Sequence, residues 1–446
     1  MIQFRILLRQ FMDSPNQAHM NFRNYRWVIC ALLLFGTTIN YMDRQIVAFC
    51  KDLLDQELHW TNEQYGMANS VFQISYGLGL LGFGWFVDRF GTKIGYSISI
   101  VGWSIAAGAY WFVHSVTGFL ATRFWVGLGE SGNFPSAIKA TALWFPKRER
   151  ALATSIFNAG PNVSGVLAPA LIPYLAYQLH FGWRGVYLVA ALAGFVCLVL
   201  WLVLYQVPEK VKRLNPAEME HILSDRDHVQ PQQKMPWASL IGYRQTWSFV
   251  VCKVLTDPVW WFYLIWLPDY FNKTRGLDVK HSWPHLITIY TIITVLSIFG
   301  GWVTGHLIKN GWTATRARKT GLFIFALCVL PIVIVTRVGD WTAVFIIGFA
   351  AAAHQAWSAN LFTTVSDMFP KKAVASVIGI GGLAGACSSF FFPKYCGRIL
   401  DHFSKTQHET TGYAILFAVC ASAYLIAFGL NHLCAPSYEQ VHIKGT

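Results

Sequence analysis

Four ionisable side chains stand within apolar sequence in the first third of the chain: Asp43 and Arg44 in Asn40-Tyr41-Met42-Asp43-Arg44-Gln45, and Arg123 and Glu130 in a later stretch. A charged group inside hydrocarbon costs roughly 2.5 to 3.5 kcal/mol on insertion scales, so such groups default to binding sites or ion pathways with named partners. A guanidinium stays charged and offers a planar fork suited to a carboxylate ligand. A carboxyl group suits a proton, because desolvation and the loss of a neighbouring cation both favour its neutral form. Together the four describe a coupled switch. An anion takes the arginine, the carboxylate loses its partner and is protonated, and anion and proton cross together.

Helical phase orders these groups. Arg123 and Glu130 are about two turns apart on one face, and Tyr41 and Arg44 share another, with Asp43 rotated by about 100° toward a neighbouring helix. Asp43 and Glu130 are therefore expected to exchange Arg44 and Arg123 as partners. The expected division is Arg44 as the anion contact, Glu130 as the leading proton carrier, Asp43 as its coupled partner, and Arg123 as the cation that holds Glu130 ionised. Direct contact of Arg123 with the cargo is the alternative for that residue, and purely structural ion pairs joining helices are the competing reading for the set. The run Gly127-Leu-Gly129-Glu130-Ser-Gly132-Asn-Phe-Pro135 is small and irregular, which lets backbones approach and leaves room for a cavity.

The elements that must position these residues are membrane helices. The chain has 446 residues, 54% hydrophobic and 13% charged, against roughly a quarter charged in soluble domains. Apolar stretches long enough to cross about 30 Å of hydrocarbon recur twelve times, centred near residues 38, 75, 103, 127, 163, 195, 258, 295, 327, 354, 386 and 422. Alternating ten-residue strands, which a barrel requires, are not visible. The expectation is an all-α membrane protein with twelve transmembrane helices in two six-helix halves. The boundaries are a cytoplasmic tail over 1–25, a first bundle over 26–206, a linker over 207–244, a second bundle over 245–434, and a cytoplasmic tail over 435–446.

The net charge of +13 needs no nucleic acid. With both termini inside, the cytoplasmic side collects Arg5, Arg9, Arg23, Arg26, Arg89, Lys93, Lys147, Arg148, Arg150, Lys210, Lys212, Arg213, Arg226, Lys234, Arg244, Lys309, Arg316, Arg318, Lys319, Lys371, Lys372 and Lys444. The outer loops hold about a third as many basic residues, chiefly Lys51, Arg184, Lys273, Arg275, Lys280, Arg337 and Lys405, which is the positive-inside pattern. Residues 1–25 lack the apolar core and cleavage site of a removable signal. Nine cysteines, mostly within apolar helices and without a CxxC pair, suggest neither disulfides nor a metal site. HExxH and GxSxG are absent, so no enzyme and no cofactor is expected. A membrane sensor is the reading from another class, but the longest polar interval is too short for an appended signalling domain.

An internal repeat supports two related halves. Gly82-Phe-Gly-Trp-Phe-Val-Asp88-Arg89-Phe-Gly91-Thr-Lys93 is echoed by Gly301-Trp-Val-Thr-Gly305-His306 followed by Arg316-Ala-Arg318-Lys319. The first of these runs resembles the GxxxDRxG(R/K) signature of the major facilitator superfamily, which implies that Asp88 and Arg89 form a cytoplasmic latch of the outward-facing state. Asn40 to Arg44, Arg123, Gly127-x-Gly129-Glu130-x-x-x-Phe134-Pro135 and Phe157-Asn158-Ala-Gly160 together resemble its anion:cation symporter branch across essentially the whole chain.

Within that branch, two further runs resemble bacterial hexuronate transporters: Lys253-Val-Leu-Thr-Asp257-Pro258-Val-Trp260-Trp261-Phe-Tyr263-Leu-Ile-Trp266-Leu-Pro268 and His354-Gln355-Ala-Trp357-Ser358-Ala-Asn360-Leu-Phe-Thr. The resemblance implies proton-coupled import of glucuronate or galacturonate across the cell inner membrane by a monomer, with sugar-acid contacts at Tyr41, Arg44 and Tyr76. Another small organic anion, aldonate or aromatic carboxylate, is the alternative cargo. Pro161, Phe362 and Gly382 replace the glutamine, tryptophan and asparagine of the galactonate type, which points away from galactonate. Asn158, one of Trp260 and Trp261, His354, Trp357, Ser358 and Asn360 are the remaining candidates for the cavity wall, with Trp261 taken of the adjacent pair. Lys253 with Asp257, four residues apart, reads as a structural pair, and Asp257-Pro258 as a place where the helix kinks or opens.

Overall fold

The computed structural model describes residues 24–211, 214–224, 237–277 and 279–441, so nearly all of the expected N-terminal tail and part of the linker lie outside the described residues. The described residues form twelve long helical rods and no strand. In chain order these are α1 (Tyr25–Phe49), α2 (Asn62–Phe90), α3 (Thr92–Ala109), α4 (Val116–Glu130, resumed as Asn133–Trp144), α5 (Lys147–Phe157, resumed as Gly160–Pro173) and α6 (Gly182–Leu204). The second set is α7 (Arg244–Arg275), α8 (Val279–Lys309), α9 (Ala314–Val329), α10 (Asp340–Met368), α11 (Lys371–Lys405) and α12 (Glu409–Cys434).

Seven described helices are long and apolar enough on their own to cross a membrane. Other rods depart from that standard for physical reasons: α1 carries Asn40, Asp43, Arg44 and Gln45 on its buried side, and α4 and α5 are interrupted near Ser131 and Asn158. Neighbouring rods shield such polar and broken segments from lipid.

Local sequence explains the ends of the rods. Thr61 and Gln64 make a reciprocal cap at the start of α2, the Thr61 hydroxyl accepting from the Gln64 N–H and the Gln64 amide oxygen from the Thr61 N–H. Gly276 ends α7 at φ 63°, a left-handed position that suits glycine. Within α7 the helix continues through Pro258, so the opening anticipated at Asp257-Pro258 does not occur. Proline lacks one N–H, but packed membrane helices tolerate that loss.

The two halves meet at the end of the bundle where α1 finishes, here called the far end; the opposite end, with the basic loops, is the basic end. Lys51 lies 3.1 Å from Asp269 of α7, and the Asn272 amide donates to both carboxylate oxygens of Asp52. Asp401 of α11 accepts the backbone N–H groups of Asn62 and Glu63 at the start of α2, both at 2.9 Å. Glu63 also pairs with Arg398 at 2.8 Å. Backbones touch here: a Cβ on Gly66 would fall 2.3 Å from the Pro393 carbonyl oxygen, and one on Gly397 2.2 Å from that of Asn62. Toward the basic end the same rods part, and a Cβ on Gly77, Gly84 or Gly382 would meet nothing within 4 Å. The halves thus enclose a cleft closed at the far end.

In the linker, the helix Pro216–Leu223 falls within the stretch from Pro216 to His228 expected to be helical. Its Glu218 accepts the N–H groups of Tyr25 and Arg26, which docks it beneath the start of α1.

Candidate functional site

Glycine positions α4. A Cβ on Gly127 would lie 2.7 Å from the Phe72 carbonyl oxygen, and one on Gly129 would lie 2.5 Å from the Trp103 nitrogen. Only glycine lets α4 lie this close to α2 and α3, which brings Glu130, the last residue before the break, level with Arg44 of α1.

Arg44 and Glu130 form a fully sequestered ion pair, Nε to Oε2 at 2.6 Å, with side chains 2% and 0% exposed. Arg44 also donates from Nη2 to Asn40 Oδ1 at 2.9 Å. Its guanidinium lies over three rings, 4.3 Å from the centroid of Tyr41, 4.5 Å from Tyr76 and 5.2 Å from Phe72. Such cation–π contacts contribute about 0.5 to 2 kcal/mol each. Glu130 keeps Oε1 without a hydrogen-bond partner, and Asp43, also buried, has none for either carboxylate oxygen. An unsatisfied buried polar atom costs about 1 to 3 kcal/mol, and three unmatched carboxylate oxygens concentrate that cost beside two cations.

Arg123 makes no direct hydrogen bond to Glu130. It donates from Nη2 to the Arg44 carbonyl at 3.3 Å and toward Asn69 Oδ1 at 3.5 Å, and lies over the Phe72 ring at 4.8 Å. Glu130 is instead held by Arg44. Two turns on one helix separate Arg123 and Glu130 by about 10 Å along the axis, whereas Arg44 comes level with Glu130 from the adjoining rod. Nε and Nη1 of Arg123 have no hydrogen-bond partner.

Asn40, Asn69 and Phe72 belong to this site although sequence reasoning did not select them. The available signal was spacing: Asn40 is four residues before Arg44, and Phe72 four before Tyr76.

Several second-half candidates do not converge on this centre. His354 is buried, stacked on Trp260 at 5.4 Å and hydrogen-bonded through Nδ1 to the Tyr424 hydroxyl at 2.5 Å. Trp357 is fully buried against the same Tyr424. Both occupy the seam between α10 and its neighbours within the second half. Asn360 donates to the Arg318 carbonyl at 2.9 Å, tying α10 to α9. In this structure α10 is wrapped by its neighbours, and these three side chains make contacts within the second half rather than with the Arg44–Glu130 centre. Ser358 and Trp261 are half-buried, and Asn158 is exposed at the break in α5. Of the two adjacent tryptophans, Trp260 is the one drawn onto His354.

The latch residues also lie apart from the other half. Asp88 is exposed and pairs with Lys139 of α4 at 3.0 Å, within its own half. Arg89 rests over the rings of Trp85 and Phe90. All nine cysteines are free.

Two six-helix halves around a cleft, with an ion pair and unmatched carboxylates at membrane depth, define a polytopic transporter rather than an enzyme. The sequence pattern of the Major Facilitator Superfamily matches residues 33–393, and the chain belongs to that family. The hexuronate transporter of Escherichia coli (strain K12) is 27% identical over 409 residues, covering 90% of this chain and 91% of the relative. A probable galactarate/D-glucarate transporter of Bacillus subtilis (strain 168) is 28% identical over 393 residues, covering 84% and 86%. Among solved structures, a bacterial homologue of the human lysosomal transporter Spinster, in an inward-facing and occupied conformation, matches with a TM-score of 0.76 at 16% identity, over 93% of this chain and 98% of that one. A D-xylose–proton symporter matches at 0.73 and 15%, over 93% and 99%. These structural likenesses concern the fold.

Proposed function

We propose that this protein is a proton-coupled symporter that imports a sugar-acid anion, hexuronate first among them, by alternating access. The observation that carries the reading is the Arg44–Glu130 pair with its unmatched neighbours. A sugar carboxylate reaching Arg44 competes with Glu130 for the guanidinium. Once displaced, Glu130 sits in a dry, ring-lined site where its neutral form is favoured, so protonation follows anion binding. Asp43, on the next face of α1, is the coupled acceptor, and Arg123 supplies the second positive charge between them. Tyr41 and Tyr76 offer apolar faces to a sugar ring and hydroxyls at its rim.

Relatives that carry hexuronate and galactarate support a sugar acid as the cargo; another small organic anion is the second reading. The distribution of basic residues supports a cytoplasmic position for the basic end and both termini, and we take the protein to work as a monomer in a cell inner membrane. In that orientation the cleft opens inward, and Asp88 and Arg89 are in the released state of the latch.

The test is uptake of labelled glucuronate into proteoliposomes under an imposed pH gradient. Accumulation that collapses with the gradient is expected. Normal transport of other organic acids with no competition by hexuronates would reject the cargo.

A further inference from the structure

The second half contains an ion pair that the switch described above does not use. Lys253 and Asp257 of α7 lie 2.7 Å apart, Nζ to Oδ2, with side chains 10% and 21% exposed. Their depth is mid-span, about 13 and 20 Å from the start of α7 at 1.5 Å per residue. Among the described residues, the buried pairs Lys51 to Asp269 and Arg44 to Glu130 join separate rods, as does the half-buried pair Arg318 to Asp367. Lys253 and Asp257 belong to one helix, and among the described residues neither head group makes a hydrogen bond to another rod. A pair of this kind bears the desolvation cost of two charges without a hydrogen bond that ties one rod to another.

The surroundings show where the pair faces. Lys253 Nζ sits 4.8 Å over the Phe362 ring of α10. Asp257 abuts α11 at Gly385, where a Cβ would lie 2.3 Å from Oδ2. One turn away on α11, Gly382 is exposed and a Cβ there would meet open space. A carboxylate one-fifth exposed at mid-span cannot face lipid without heavy cost, so the exposed part of the pair opens on the cleft between the halves.

We propose that Lys253 and Asp257 form the second-half subsite of the cleft, binding the hydroxyl-bearing end of the sugar acid remote from the carboxylate held by Arg44. The inference rests on the sugar-acid reading and sharpens it. An ammonium donates and a carboxylate accepts, so together they match a hydroxyl pair, in which each oxygen does both. The subsite carries no net charge, which suits the uncharged end of a uronate. A second carboxylate would gain Lys253 but be repelled by Asp257 beside it. The pair therefore selects uronates over the corresponding sugar diacids.

The experiment measures binding of galacturonate, galactarate and tetrahydropyran-2-carboxylate, which keeps the ring and carboxylate but has no hydroxyls, to the full-length purified protein. Wild type is expected to prefer galacturonate to both. Asp257→Asn removes the repelling charge and is expected to shift the galactarate-to-galacturonate affinity ratio at least 10-fold toward the diacid. Lys253→Met combined with Asp257→Asn removes both charges, which avoids stranding either one. That double variant should keep its melting temperature and its affinity for tetrahydropyran-2-carboxylate within about twofold, while galacturonate weakens by about 10- to 100-fold, the effect of losing charged hydrogen bonds. Wild-type galacturonate affinity in the folded double variant would overturn the assignment, as would an unmoved diacid ratio in folded Asp257→Asn. Should Asp257→Asn not fold, the double variant decides alone. Failure of the wild-type protein to bind any of the three acids would reject the sugar-acid reading itself, and the subsite with it.

Discussion

Replacing Asp269 by asparagine should loosen the closed far end by a predictable amount. Asp269 is 5% exposed, lies 3.1 Å from Lys51 across the two halves and accepts from the Tyr413 hydroxyl at 2.5 Å. Asparagine preserves the shape and can still accept from Tyr413, so the change removes the charge and little else. Lys51 is not stranded, because Asp55 remains 2.7 Å away and the Tyr65 ring lies 5.2 Å from its ammonium. The cost of losing this ion pair is comparable to that of one charged hydrogen bond, about 1.5 to 3 kcal/mol, below the roughly 3 to 5 kcal/mol of a fully orphaned buried charge.

Because the contact exists only when the far end is closed, this cost falls on one conformation. The ratio of closed to open molecules should drop by about 10- to 150-fold. Spin labels on Gln56→Cys and Thr406→Cys, exposed at the far end in opposite halves, report that ratio as two distance populations when exposed Cys387 is first replaced by serine. A ratio that moves less than threefold would refute the claim that Lys51–Asp269 holds the halves together.

Four further outcomes follow from the geometry. Glu130→Gln should abolish gradient-driven accumulation while leaving substrate exchange across the membrane, and normal accumulation in that variant would remove Glu130 from coupling. Arg44→Lys should weaken cargo binding by about 100-fold in a titration, since an ammonium reproduces neither the planar fork nor the stack on Tyr41 and Tyr76; unchanged affinity would take Arg44 out of the site. Gly66→Val drives a side chain into the Pro393 carbonyl, so the same spin-label pair should show the closed population depleted, and a closed population equal to that of wild type would contradict the close approach. Asn360→Ala removes the bond to the Arg318 carbonyl and should lower stability by about 1 to 2 kcal/mol in thermal unfolding with cargo affinity unchanged; weakened binding in the folded variant would return Asn360 to the cleft.

Helical class, the number of rods and the polar residues of α1 and α4 were all legible in the sequence, because a bilayer enforces them locally. A span needs about 20 apolar residues whatever its neighbours are, and a charge such as Arg44 or Glu130 stands out wherever it interrupts one. The glycines around Glu130 likewise announced a close backbone approach, and the structure supplies the partners, Phe72 and Trp103.

Partner choice was not legible, because it depends on how far each side chain stands along and around rods that meet only in three dimensions. Helical phase put Arg123 and Glu130 on one face, yet the axial rise between them favours Arg44 from the next helix. His354, Trp357 and Asn360 were likewise expected at the cavity wall, but in the structure Tyr424 and Arg318 claim those side chains. The sequence by itself determined which residues were too polar for the membrane. Tertiary packing decided which of them satisfy one another and which, such as Asp43, are left with carboxylate oxygens unmatched.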